Sequence, residues 1–201
     1  MFSGMIVSVL SFRGKRGHGF PRTKNIFCEF LFFVPEKASS CSLEVVVYHL
    51  VFVCTGNLCR SPMAEAVLRR RWMQMGRNDL HVSSSGIHAK KDQAPPEMVT
   101  EVCRDEGLDL SAHLSRPLDP RELQGADLVL TMEPAQEHFL KIFFPRIADR
   151  VGLLAAWGTE GEKRQSIPDP MGGKRKAFQK TYDRITFHIE RILPFLLDRF
   201  S

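Results

Sequence analysis

The run Cys54-Thr55-Gly56-Asn57-Leu58-Cys59-Arg60-Ser61-Pro62 gathers a thiol, a guanidinium and a hydroxyl in one short loop, with five residues between Cys54 and Arg60. Such a set suits attack on a bound oxyanion. A tight loop lets successive backbone N–H groups converge on one anion, and a helix starting behind it adds its positive end. Gly56 and Asn57 are residue types that accept the left-handed conformations such a turn demands. Arg60 offers a planar fork that grips two oxygens of a phosphate. Cys54 points into the same positive concavity, which favours its nucleophilic thiolate form, and Ser61 can donate a hydrogen bond to that sulfur. A cysteine alone at a strand end is ordinarily a buried structural thiol. The company of Gly56, Arg60 and Ser61 between a strand and a helix turns the reading to chemistry.

The flanking sequence supplies the elements that must hold this loop. Val45–Val53 is an almost continuous apolar, β-branched run, the pattern of a strand buried on both faces. Pro62 suits a first helical position, and the helix it opens runs to a stop at Gly76. Further strands are expected at Leu80–Ser84, Ala126–Met132 and Val151–Trp157. Helices are expected from Pro95-Pro96 to near Gly107, from Asp119-Pro120, over Glu133–Phe144 and over Lys176–Arg199. In the last, Phe178, Tyr182, Ile185, Ile189, Ile192, Leu193 and Leu196 recur at helical spacing, and Pro194 should bend it or begin a last turn. Alternating strands and helices imply an α/β three-layer sandwich, a four-stranded parallel sheet flanked by helices, with the phosphate-binding loop after the first strand.

Composition narrows the class. The 201 residues are 43% hydrophobic and 25% charged, with a mean hydropathy of −0.16, which excludes collagen-like, wholly disordered and polytopic membrane chains. The formal net charge is +5. Residues 1–45 carry six basic and three acidic residues, a net of +3, leaving +2 for the 22 basic and 20 acidic residues of 46–201. The first segment, with scattered glycines and no clean period, reads as a poorly ordered extension, and 46–201 as the working domain. The five cysteines (Cys28, Cys41, Cys54, Cys59, Cys103) are odd in number and lack zinc spacing, so a reducing cytoplasm fits better than a disulfide framework. Neither a secretory signal nor a spanning helix is expected. No metal, other cofactor, nucleic acid or membrane partner is called for, and the oligomeric state stays open.

Over about residues 46–201 the chain resembles the low-molecular-weight protein tyrosine phosphatases. The resemblance is carried by VFVCTGNLCRSPMAEAV (Val51–Val67), the V-x-S-x-G stretch at Val82–Gly86, SRPL at Ser115–Leu118, ADLVLTM, and Asp169-Pro170 ahead of the last helix. It implies phosphomonoester hydrolysis through a phosphocysteine, most of all of phosphotyrosyl proteins or small aryl phosphates, with Cys54 as nucleophile. Arg60 and the loop residues Thr55, Gly56, Asn57, Leu58, Cys59 and Ser61 would bind the phosphate. The resemblance also implies that Asp169 is the general acid; unaided, an Asp-Pro pair signals only a turn. By the same resemblance Cys59 can form a reversible disulfide that protects the nucleophile, against a plain reading as a small buried loop residue. Ser84 matches a family serine that helps hold the loop.

Other residues read more plainly. His88, Lys90 and Lys91 look like a solvated loop, although in relatives this loop borders the substrate mouth. Arg69–Arg71 look like a helix surface, and Met63, Trp72 and Met73 like core. Many relatives carry an aromatic directly after Asp-Pro, where this chain has Met171, Gly172 and Gly173, so a wider slot is expected. Leu58 is apolar as in tyrosine-directed relatives, whereas phosphoarginine-directed ones carry threonine there. The alternatives are a thiol-dependent arsenate reductase, whose relay would have only Cys59 and Cys103 to draw on, and a non-catalytic phosphate-binding module, which needs no nucleophile.

Overall fold

Residues 47–158 and 166–200 are described by a computed structural model, and the expectation for residues 1–45 lies outside them. The apolar run after residue 46 forms β1 (Tyr48–Cys54), whose side chains alternate between two cores. Leu50, Phe52 and Cys54 face one core, and Val51 and Val53 the other. In chain order follow α1 (Arg60–Gln74), β2 (Leu80–Gly86), α2 (Glu97–Asp105), α3 (Pro120–Gly125), β3 (Leu128–Thr131) and α4 (Pro134–Phe143). A 3₁₀ turn (Pro145–Arg150), β4 (Val151–Leu153) and α5 (Arg175–Arg199) complete the described elements. The four strands form one parallel sheet in the order β2-β1-β3-β4. Helices α1, α2 and α5 cover the face that holds Phe52; α3, α4 and the 3₁₀ turn cover the opposite one. From β1 the chain goes first to β2 and then crosses back to β3. The reversal point therefore lies at the carboxyl ends of β1 and β3, where α/β sheets open a crevice for ligands.

Three expectations need correction, and the expected bend or last turn at Pro194 falls within one helix. The helix α1 begins at Arg60, so Pro62 is its third residue; the N–H groups of the first turn have no intrahelical partner, and a proline there costs nothing. The fourth strand ends at Leu153 because Ala156 and Trp157 both turn back to donate to the Leu153 carbonyl, at 2.9 and 2.8 Å. The apolar run Leu154–Trp157 is thus a turn, held by the Arg191 guanidinium on the Leu154 and Trp157 carbonyls. Met73 is 67% exposed, since the inward stripe of α1 is Met63, Ala64, Val67, Leu68 and Trp72, and Met73 lies about 100° round the helix from Trp72. Pro194 lies inside α5, which continues through it to Arg199.

Candidate active site

The loop between β1 and α1 sits at the reversal point of the sheet. Asn57, Cys59, Arg60 and Ser61 are buried in it, while Thr55 is exposed and Gly56 and Leu58 are half-buried at its rim. Cys54 Sγ accepts from the Asn57 backbone N–H at 3.2 Å and lies 3.0 Å from Ser61 Oγ. As a thiolate, the sulfur can only accept, so Ser61 donates to it. The N-terminus of α1 has no side-chain cap and no acidic residue in its first turn. Its unpaired N–H groups and positive end are left for an anion.

The left-handed turn is made by Asn57, at φ 54°, and not by Gly56. Asn57 accepts that conformation because its neighbours fix its side chain. Nδ2 donates to Ser61 Oγ (3.0 Å) and Ser84 Oγ (2.9 Å), and Oδ1 accepts from the Arg116 backbone N–H (2.9 Å). His113 Nε2 lies 2.9 Å from the Asn57 carbonyl oxygen. Ser84 in turn donates to Glu65 on α1. Gly86 ends β2 directly beneath: a Cβ there would stand 2.8 Å from both Asn57 N and Thr55 O. Only a glycine lets the loop lie this close.

Arg60 is buried and reaches across to β3 and beyond. Its Nη1 donates to the Ile167 carbonyl at 3.1 Å and pairs with Glu133, and its Nη2 pairs with Asp169 Oδ2 at 2.5 Å. Nε–H and the second Nη2 proton are the parts of the fork not used in these contacts. Asp169 Oδ1 accepts from the Met171 N–H (3.1 Å), and the Ile167 N–H donates to the Met132 carbonyl (2.8 Å), which ties the Asp169 turn to the end of β3. Glu133 is the residue before α4, where the Gln136 amide oxygen accepts from the N–H groups of Met132 and Glu133. Gln136 Nε2 then donates to Thr55 Oγ1 at 3.1 Å.

The structure therefore brings together Cys54, Arg60, Ser61, Ser84 and Asp169, all singled out in the sequence. Cys59 lies on the inner side, where burial first and the Asp169 charge second push its thiol up to about 12. It remains a neutral thiol and donates to Met171 Sδ at 3.3 Å. Cys54, Cys59 and Cys103 are free thiols. Met171 is exposed at the mouth, where no aromatic wall follows the Asp-Pro pair. His88, Lys90 and Lys91 are exposed on the loop after β2, and Lys91 pairs with Asp92 at 3.8 Å. Arg69–Arg71 do more than face water: Arg69 pairs with Glu65, Arg70 donates to the Glu106 carbonyl and Arg71 pairs with Glu190. Sequence reasoning missed Glu133, Gln136, His113 and Arg116. Glu133 had one usable signal, its position immediately past a strand at the ligand-binding edge. Among the described residues no group of three His, Cys, Asp or Glu side chains is placed to hold a metal, and no helix is long and apolar enough to cross a membrane.

A family model described as low molecular weight phosphotyrosine protein phosphatase matches residues 49–198. Among curated proteins, the chain is 33% identical over 138 residues to a protein-arginine-phosphatase of Bacillus subtilis, covering 68% of this chain and 88% of that one. It is 32% identical over 134 residues to the low molecular weight protein-tyrosine-phosphatase Wzb of Escherichia coli K12, covering 67% and 85%. The fold matches a solved low molecular weight protein tyrosine phosphatase from T. tengcongensis with a TM-score of 0.67 and 32% identity, over 73% of this chain and 98% of that one.

Proposed function

The chain belongs to the low molecular weight phosphotyrosine protein phosphatase family, and from that premise we propose that it hydrolyses protein phosphotyrosine through a cysteinyl-phosphate intermediate. The carrying observation is the convergence of Cys54, Arg60 and Asp169 on one uncapped helix N-terminus. The phosphate displaces Asp169 from Nη2 and takes that edge of the fork, while Glu133 and the Ile167 carbonyl keep hold of Nη1. The loop N–H groups of residues 55–60 and the freed Arg60 edge then stabilise the transferring phosphoryl group. The Cys54 thiolate attacks phosphorus as the bond to the leaving oxygen breaks, and Asp169 gives that oxygen its proton. The Asp169 carboxylate next takes a proton from a water molecule that attacks the phosphocysteine. Inorganic phosphate leaves, and Cys54 is again a thiolate.

Apolar Leu58 at the rim supports a tyrosyl substrate. A phosphoarginine substrate is the second reading, favoured by the named activity of the Bacillus subtilis relative. Arsenate reduction is weaker, because a relay needs an accessible thiol and Cys103 is fully buried, its thiol pushed up to about 12 by that burial. Free thiols at the site agree with a reducing, cytoplasmic location. We also assign catalysis to residues 46–201, so that a chain lacking 1–45 retains activity. The test is hydrolysis of an aryl phosphate in excess chelator, with phosphotyrosyl and phosphoarginyl peptides compared by kcat/KM. Turnover of the aryl phosphate and a preference for phosphotyrosine are expected, with Asp169→Ala slower by about 10²–10⁴. Full activity in Cys54→Ser overturns the mechanism, and a preference for phosphoarginine overturns the substrate.

A further inference from the structure

Helix α4 carries an apolar ridge that its own fold leaves uncovered. Phe143 is 65% and Ile142 57% exposed, and the Phe139 ring packs against that of Phe143 at a tilt, with centroids 4.5 Å apart. The inward position of that turn is already taken by Leu140, which is fully buried. A surface helix ordinarily carries polar side chains at such positions.

The ridge joins two cavities. The first, about 200 Å³, lies between α4 and the loop after β2 and is lined by Thr55, Ile87, His88, Glu133, Gln136 and Phe139. It opens directly onto the phosphate loop, because Thr55 is the residue after Cys54 and Glu133 is the partner of Arg60. The His88 ring stands 6.4 Å from that of Phe139, and both line this cavity. The second cavity, about 210 Å³, lies at the far end of α4 between Phe143, Phe144, Pro145 and Ile147. Each has room for one apolar side chain. A phosphorylated side chain that reaches Cys54 brings its own backbone to the mouth beside Thr55, where the ridge begins.

We propose that the Phe139–Phe143 ridge of α4 and its two cavities bind the segment of the phosphoprotein substrate next to the phosphorylated residue. This rests on the phosphatase reading above and adds to it a sequence preference outside the reacting group. From the middle of the first cavity, near Gln136, to the second, near Phe144, eight residues of helix rise about 12 Å. An extended peptide advances about 3.3 Å per residue, so a bulky apolar side chain about four residues beyond the one in the first cavity, and so about five from the phosphorylated residue, reaches the second cavity. The nearer cavity takes an apolar side chain adjacent to the phosphorylated residue, where Glu133 at its rim disfavours an acidic one.

The experiment uses the full chain and peptides built around the phosphoresidue it hydrolyses faster, with Leu, Gly or Asp placed singly at each flanking position. Expected is a kcat/KM about tenfold higher for Leu than for Asp about five residues away, equivalent to about 1.4 kcal/mol. Phe143→Ala, at an exposed position, erases that preference, and Phe139→Leu weakens it; both leave hydrolysis of p-nitrophenyl phosphate within about twofold. A flat positional profile overturns the proposal, as does a preference that survives Phe143→Ala. So does a dimer in sedimentation that the same substitution dissociates, since a second copy then covers the ridge. If the unaltered protein does not hydrolyse p-nitrophenyl phosphate, the phosphatase reading itself fails, and the ridge proposal falls with it.

Discussion

Replacing Asn57 tests whether the phosphate loop is held by one residue. Its side chain is fully buried and makes three hydrogen bonds, to Ser61, Ser84 and the Arg116 backbone, at 2.9–3.0 Å. Asn57→Ala removes all three and leaves the N–H of half-buried Arg116 without that acceptor. At about 1 kcal/mol net for each, the loss is about 3 kcal/mol. Alanine at φ 54° adds about another 1–2 kcal/mol, because its Cβ crowds the following carbonyl. Loop order therefore falls by about 4 kcal/mol, which corresponds to about 10³ in kcat/KM if the reactive geometry depends fully on it. Asn57→Gly removes the same hydrogen bonds without the backbone penalty, so it should be about 1 kcal/mol more stable than Asn57→Ala. Its kcat/KM should recover no more than about tenfold. The assays are urea unfolding and steady-state hydrolysis of an aryl phosphate on the same preparations. An Asn57→Ala protein within threefold of the parent in kcat/KM would refute the claim that this side chain organises the loop.

Other consequences are equally open to measurement. Gly86→Ala drives a Cβ to 2.8 Å from two backbone atoms of the loop; it should cut kcat/KM by about tenfold or more with the circular dichroism spectrum retained. Unchanged kinetics would mean that the loop gives way without cost. Glu133→Gln keeps a hydrogen-bonding partner for Arg60 while removing a negative charge beside the anion site, so inorganic phosphate should inhibit about threefold to tenfold more strongly. Weaker inhibition would contradict that placement of charge. His188, 6% exposed, is lowered from 6.5 to about 4 by burial first and then by Arg191 and Arg184. The unfolded chain takes up this proton first as pH falls, so the associated stability is intact above about 6.5 and is lost between there and about 4, to a total of about 3 kcal/mol. Urea midpoints at pH 7.5 and 5 should differ accordingly, and His188→Leu should flatten that part of the slope.

The loop from Cys54 to Ser61 was legible because its chemistry and its positioning lie within a few residues of one another. The apolar run before it and the helical period after it announce a strand and a helix, and the spacing between Cys54 and Arg60 needs no distant partner. Asp169 was legible only through resemblance, since an Asp-Pro pair by itself marks a turn. Glu133, Gln136, His113 and Arg116 reach the loop from 56 to 81 residues away in the chain, brought there by the crossover of the sheet. Apart from the place of Glu133 just past a strand and of Arg116 within the SRPL stretch, nothing local distinguishes them from ordinary surface residues. Met73 misled because a helical apolar period admits neighbours of the true inward stripe, and Trp72 filled the core position. The last strand was read too long because a buried turn, Leu154–Trp157, is as apolar as a strand.

The central claim is that Cys54 becomes phosphorylated during turnover. The most direct measurement is quenching of the Asp169→Ala protein in alkaline detergent during steady-state turnover of a labelled aryl phosphate, followed by mapping of the bound phosphate. The account predicts up to one alkali-stable, acid-labile phosphoryl group per chain, on Cys54 and absent in Cys54→Ser. Aryl phosphate turnover with no covalent phosphate on Cys54, or with turnover undiminished in Cys54→Ser, would contradict it.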